Sequence, residues 1–244
     1  MKIVIDIGNS SIKAMAGAEL FNCAYSADWV TALMEFINAK IQGDSLVVYS
    51  SVNDSALDVL KNSIAAINNI TLQDSNEILK LQNYIDFTQV SGMGNDRMLG
   101  LIGAISKKDA PLITIDCGTA TTINCVDANK ICIGGAILPG VFTQYKSLHE
   151  NTRALKNIDV IESNRFAGSD TSRAIASGIL RGSAGAVIHI VKGIIDESGL
   201  VNCNIFLTGG AAGLISNWLR TEFPDIIEVP YLNLDGINIL SGLL

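Results

Sequence analysis

A chain of 244 residues with 48% hydrophobic content and a mean hydropathy of +0.35 has ample material for a packed core. Its 24 acidic against 17 basic side chains give a formal charge of −7, and no basic block offsets it, so neither nucleic acid nor an anionic membrane is expected as a partner. Five cysteines without C-x-x-C spacing and only two histidines exclude a disulfide scaffold and a histidine-built zinc site, and point to reduced thiols in a cytoplasmic protein.

In chain order, Ile3–Ile7, Ile12–Gly17 and Leu20–Tyr25 read as three consecutive strands. With a strand ending at Asp6, no signal peptide is expected ahead of it. Trp29, Leu33, Phe36 and Ile37 recur at helical spacing within Asp28–Ala39, and Leu46–Ser50 is a buried strand. Asn53 and Asp54 suit the start of a helix that carries Leu57, Leu60, Ile64 and Ile67 on one face. Arg97–Lys107 is a further helix, and Pro111 marks a boundary, giving domains 1–110 and 111–244. The second domain repeats the plan with strands Leu112–Asp116, Thr121–Val126 and Ile131–Ile137, a turn at Leu138-Pro139-Gly140, and helices over Thr143–Leu155 and most of Ser172–Glu197. Glycines 178, 182 and 185 allow that last helix close packing or a break. Its most membrane-like part, Ala184–Ile195, is too short to span a bilayer. Ile205–Thr208 is a late strand before Gly209-Gly210, and a helix through Leu219 follows.

The two halves also repeat a motif. KIVIDIGNSSIK at Lys2–Lys13 and LITIDCGTATTIN at Leu112–Asn124 each run an apolar strand into an aspartate, a glycine and a row of hydroxyl residues. Such a turn brings a carboxylate to a strand end and lets hydroxyls and backbone N–H groups face an anion such as phosphate. Two of them lead to the expectation of two α/β domains gripping one nucleotide in a cleft. Each motif also has a plainer reading. Gly-Asn-Ser satisfies a hairpin turn, Lys13 suits a solvated strand position, and Asp116 suits a strand-end carboxylate that accepts loop N–H bonds. Asp96 fits a helix N-terminus, Asp170-Thr171 fits a helix cap, and Cys117 fits a small packing residue.

Taken together, six short motifs in order resemble the type III pantothenate kinases: DIGNSSIK (Asp6–Lys13), GNDR (Gly94–Arg97), DCGTATT (Asp116–Thr122), GGAILPG (Gly134–Gly140), the SDTS run from Ser169 to Gly178, and LTGG (Leu207–Gly210). The resemblance implies a duplicated ribonuclease-H-like (actin-like ATPase) fold and a homodimer. It implies transfer of the ATP γ-phosphoryl group to pantothenate, the first step of coenzyme A synthesis, with Mg²⁺ and a monovalent cation, K⁺ or ammonium. Carried onto this chain, it makes Asp96 the general base and Gly94, Asn95, Asp96, Arg97 and Thr171 the substrate contacts. Asp6, Ile7, Gly8, Asn9, Ser10, Ser11, Ile12, Lys13 and Thr119 become the ATP site, Asp116 the monovalent-cation ligand, and Asp6 the Mg²⁺ ligand.

The chain departs from the family's pattern at Phe87, where Tyr is common, at Val90 (Pro), at Asn95 (Ala) and at Ala211 (an acidic residue). These departures keep open a non-catalytic nucleotide-binding regulator and a kinase of another small hydroxylated acid. Retention of Asp96 argues against the regulator.

Overall fold

The computed structural model describes residues 1–26, 28–41, 43–65, 67–152, 155, 160 and 165–244. They form two compact units.

The first unit comprises Met1–Tyr84, Gly92–Ser106 and Leu232–Leu244. Its strands are β1 (Lys2–Ile7), β2 (Ser11–Ala16), β3 (Glu19–Ala24), β4 (Ser45–Ser51) and β5 (Ile70–Asp74), in the order β3-β2-β1-β4-β5. The β1–β2 and β2–β3 pairs are antiparallel, while β1–β4 and β4–β5 are parallel. Central β1 is buried along nearly its whole length, as a strand covered on both faces must be, whereas β2 alternates. One face packs Ile3, Ile5, Ile7, Ile12, Val47 and Tyr49 under α1 (Trp29–Asn38) and α2 (Asp54–Ile64). The Asn53 side chain caps α2 by accepting from Ala56 N at 3.2 Å. The short α3 (Ser75–Leu79) follows β5. On the opposite face, α4 (Asn95–Ile105) and α9 (Leu232–Leu240) cross one another, and α9 meets β1, β2 and β4. The crossing is glycine-lined: a Cβ on Gly103 would lie 2.2 Å from Leu232 O, and one on Gly236 would lie 2.0 Å from Leu99 O.

The second unit, Ile85–Ser91 with Lys107–Tyr231, repeats the topology. Its strands β6 (Leu112–Cys117), β7 (Ala120–Val126), β8 (Cys132–Pro139), β9 (Asn204–Thr208) and β10 (Ile227–Glu228) run in the order β8-β7-β6-β9-β10. The senses match pair for pair: β6–β7 and β7–β8 are antiparallel, and β6–β9 and β9–β10 are parallel. One face packs Ile113, Ile115, Ile123, Cys125, Ile205 and Leu207 against α5 (Val141–Asn151), α7 (Gly182–Ser198) and α8 (Ala212–Glu222). The segment 85–91 clips onto the β7–β8 hairpin, with Asp86 N donating to Lys130 O and Cys132 N donating to Asp86 O, both at 2.8 Å.

The units divide the chain differently from 1–110 and 111–244. Residues 232–244 pack with the first unit, and residues 85–91 and 107–110 with the second. The expected turn at Leu138-Pro139 is the end of β8, and α5 begins at Val141 after Gly140. The expected extension of α5 to Leu155 is not seen: the helix ends at Asn151, with Thr152 in extended backbone as its C-cap, and positions 153 and 154 lie outside the described residues. α6 (Thr171–Ala176), a π-helical turn (Ser177–Arg181) and α7 form one helix over Thr171–Ser198. Among the described residues nothing lies within 4 Å of where a Cβ would stand on Gly178, Gly182 or Gly185, so these glycines serve no close contact, and the helix runs on through them with its π-helical turn over Gly178. At 28 residues this helix is long and apolar enough to cross a membrane, unlike the 12-residue stretch read from sequence, yet Ile179, Leu180, Ala184, Val187 and Val191 lie in the core of the second unit.

Candidate active site

In the first unit the motif residues collect where β1 ends, on the face that bears α4 and α9. Asp6 pairs in register with Lys13 on β2 and with Ser50 on β4, so all three side chains share that face. Asp6 is 7% exposed, and burial pushes its carboxyl above the usual carboxylate range. Lys13 opposes the shift, the Asp96 charge adds to it, and a hydrogen bond from the Asn233 side chain opposes it. Asp96 lies in the first turn of α4, behind Gly94 as N-cap, and its Oδ1 accepts from Arg97 N at 2.8 Å. Asp96 thus serves the helix N-terminus, as the plainer reading has it, and its charge also acts on Asp6.

The turn after Asp6 is closed by Gly8 N donating to Ser11 O at 3.0 Å, and Asn9 and Ser10 are exposed at its tip. Tyr25 clasps it: its hydroxyl donates to Gly8 O at 2.9 Å and its N–H to Ser10 O at 3.4 Å. Burial, with the Asp6 charge, pushes the Tyr25 hydroxyl up to about 12, so it stays a protonated donor. The Ile7 and Ile12 side chains lie wholly in the core, which limits any ligand contact there to backbone.

The second unit builds the same arrangement around Asp116. Its register partners are Thr122 on β7 and Thr208 on β9, so a Thr122–Asp116–Thr208 row answers Lys13–Asp6–Ser50. Further along that face, Asn124 Nδ2 donates to Thr114 Oγ1 and Thr122 Oγ1, each at 3.4 Å. The loop after Asp116 is fastened from α5, where Thr119 O accepts from Gly140 N at 3.0 Å and from Thr143 Oγ1 at 2.6 Å. Gly209, at φ +97°, ends β9 against this loop, and a Cβ on it would lie 2.5 Å from Asp116 Oδ1. Glycine is required there by both backbone and space. Cys117 points into the core, and burial with the Asp116 charge pushes its thiol up to about 12, as suits a packing residue.

Among the described residues no three His, Cys, Asp or Glu side chains gather to hold a metal ion. The first unit nonetheless fits a hard cation that keeps most of its water: one buried carboxylate, Asp6, and beside it the buried Ser50 Oγ, which has no hydrogen-bond partner among the described residues.

Thus Asp6, Lys13 and Asp96 come together in the first unit, and Asp116 and Thr119 in the second. Thr171 is exposed at the start of α6, whose N-cap Asp170 accepts from Arg173 N at 2.9 Å. Sequence reasoning missed Tyr25, Ser50, Thr143, Thr208 and Asn233. Ser50 and Thr208 were findable as hydroxyls at the ends of the two strands parallel to the D-x-G strands.

A family profile described as type III pantothenate kinase matches residues 2–193. The chain is 41% identical over 151 residues to a type III pantothenate kinase of Synechococcus elongatus, a match spanning 61% of this chain and 59% of that relative's length. It is 25% identical over 256 residues to one of Finegoldia magna, spanning 99% and 97% of the two chains. Among solved structures it is similar to component A of the (R)-2-hydroxyglutaryl-CoA dehydratase of Acidaminococcus fermentans, with a TM-score of 0.50, 14% identity and 98% of each chain covered. With the repeated strand order, that likeness gives the fold as the duplicated ribonuclease-H-like, actin-like ATPase fold.

Proposed function

The chain belongs to the type III pantothenate kinase family, and from that premise we propose that it transfers the γ-phosphoryl group of ATP to the primary hydroxyl of pantothenate, giving 4'-phosphopantothenate and ADP in the first step of coenzyme A synthesis. The observation that carries the reading is the pairing of two carboxylates in the first unit, Asp96 partly exposed at a helix start and Asp6 buried at a strand end, near enough for the charge of Asp96 to raise the Asp6 carboxyl. A phosphoryl transfer can use such a pair: one carboxylate to orient the attacking hydroxyl and a second to hold the cation that binds the phosphates.

In this reading Asp96 takes the hydroxyl proton as the new P–O bond forms and the bond to the ADP oxygen breaks. Arg97, whose planar fork suits a carboxylate, binds that of pantothenate, and Gly94, Asn95 and Thr171 complete the substrate contacts. The turn from Gly8 to Ser11, with Lys13 behind it, receives phosphate oxygens, and Thr119 contacts ATP in the second unit. Asp6, with Ser50 beside it, would hold a bound Mg²⁺ or its waters, and that ion would supply neutralisation of the charge on the phosphates. Asp116 takes a monovalent cation, K⁺ or ammonium. Where Lys13 stands beside Asp6, the neutral Thr122 stands beside Asp116, so that register position supplies no cation of the protein's own. The protein works as a cytoplasmic homodimer without a nucleic-acid or membrane partner.

The test is a coupled ADP-release assay with ATP, Mg²⁺ and pantothenate, in K⁺ or in Na⁺. Turnover that rises with K⁺ is expected. Folded protein that binds ATP and makes no phosphorylated product from pantothenate would overturn the reading in favour of another hydroxylated acid or a regulatory role.

A further inference from the structure

We infer that Tyr25 is a positioning residue for the turn after Asp6: by tying back the Gly8 and Ser10 carbonyls, it turns the Asn9 and Ser11 N–H groups toward an incoming phosphate. The inference deepens the kinase reading and rests on it in taking this turn as the seat of the nucleotide's phosphates.

Tyr25 follows β3 directly, and Trp29 opens α1 just beyond it. The Tyr25 hydroxyl donates to Gly8 O at 2.9 Å, across 17 positions of sequence, and the Tyr25 N–H donates to Ser10 O at 3.4 Å. One residue therefore holds two alternate carbonyls of the turn, the first by its side chain and the second by its main chain. Both peptide bonds concerned are trans. In a trans peptide the C=O of one residue and the N–H of the next point in opposite directions. Drawing the Gly8 and Ser10 oxygens toward Tyr25 thus sends the Asn9 and Ser11 N–H groups the other way. N–H groups gathered on one side are what an anion requires of a backbone turn, and a carbonyl oxygen swung in among them would repel it.

The tyrosine is itself braced. Its ring stands edge-on to that of Trp29, with centroids 5.3 Å apart and planes at 79°, and both rings pack against the core of the first unit. Asn9 and Ser10 are exposed at the tip, so the order of the turn comes from its base and from this clasp. The second D-x-G turn meets the same need from another element, since Thr119 O is tied back by Gly140 N and Thr143 Oγ1. A tethered carbonyl recurs in both turns, while the tethering groups differ. Fixing the peptide planes before the ligand arrives removes an ordering cost from binding.

The experiment is calorimetric titration of the full chain with ATP, tripolyphosphate and adenosine, alongside thermal melts, for wild type, Tyr25→Phe and Trp29→Leu. Tyr25→Phe removes the hydroxyl and keeps the ring against Trp29. It is expected to weaken ATP and tripolyphosphate alike by about 2–10-fold, the net worth of one hydrogen bond, and to leave adenosine unchanged. Trp29→Leu keeps the hydroxyl and removes its brace, and is expected to give a smaller loss of the same kind. A tyrosine that served the fold alone would weaken adenosine as much as tripolyphosphate. That result, or equal tripolyphosphate affinities in wild type and variant, overturns the inference. If Tyr25→Phe does not fold, Trp29→Leu decides alone by the same two outcomes. Wild type that binds neither ATP nor tripolyphosphate overturns the kinase reading and the inference together. A phosphate-dependent loss in a protein that never phosphorylates pantothenate leaves Tyr25 in its role and removes only the substrate.

Discussion

Gly94 makes room for Asp96: a Cβ at position 94 would stand 2.6 Å from Asp96 Oδ1, the oxygen that accepts from Arg97 N. The glycine of the G-x-D-R motif therefore serves the aspartate two residues on. Gly94→Ala is expected to displace the carboxylate and lower kcat about 10–100-fold with the fold intact, since small misplacements of a reacting group cost that much. Steady-state ADP release with circular dichroism checks it, and an unchanged kcat would remove Asp96 from the chemistry.

Asp96→Asn keeps the size and the helix position but cannot accept the hydroxyl proton. Loss of a general base costs about 10²–10⁴-fold in rate. ATP affinity by calorimetry is expected to stay at the wild-type level. A parallel fall in ATP affinity would show that Asp96 holds nucleotide instead.

The raised pKa of Asp6 predicts a trade between stability and activity. A carboxyl harder to ionise in the folded chain than in the unfolded one costs stability above its folded pKa, and the cost fades as pH falls toward the ordinary value of 3.8. Without ligand, Asp6→Asn is expected to melt higher than wild type at pH 8, by about 2–4 °C for each kcal/mol recovered. The gap should close as the pH is lowered, and the variant should form no product. A gap that does not vary with pH would mean that the Asp6 charge is already compensated.

Much of this was legible in sequence because the signals were local. The D-x-G strands are continuous runs of Ile and Val, and the helix after Asn53 carries its cap in the sequence. β5, α3, β10 and α9 were not read. β5 and β10 are short edge strands, and α9 holds Gly236 where a helix pattern expects an apolar side chain. The site was half-legible for the same reason. Asp6, Asp96 and Asp116 advertise themselves in motifs, whereas Ser50 comes beside Asp6 only through the parallel pairing of β1 with β4.

Gly209→Ala should strain the second loop, since φ +97° is unfavourable for any side chain and the added atom meets Asp116 and the Cys117 backbone. Such strain costs about 1–3 kcal/mol, visible in urea melts. K⁺ activation should weaken with it, because the displaced group is the proposed cation ligand. Activation that is unaltered would detach Asp116 from the monovalent ion.

Glycines in helices separate in the same way. Gly236→Ala places a methyl group 2.0 Å from Leu99 O and is expected to cost about 1–3 kcal/mol. Gly185→Ala in α7 points into open space and should gain roughly 0.5–1 kcal/mol. Denaturant midpoints of the two variants test the contrast, and shifts in the same direction would refute it.

The return of α9 to the first unit also sets an order of assembly. Residues 107–231 emerge from the ribosome after most of the first unit and before Leu232–Leu244, and domains generally fold as they appear. The unit translated first is thus completed last. Until α9 docks on α4, the buried end of β1 lacks its covering helix, and a nascent chain stalled before Leu232 should expose that sheet face to chaperones. Completion of the proposed nucleotide site at Asp6 then becomes a late event in the life of the chain, gated by the synthesis of α9.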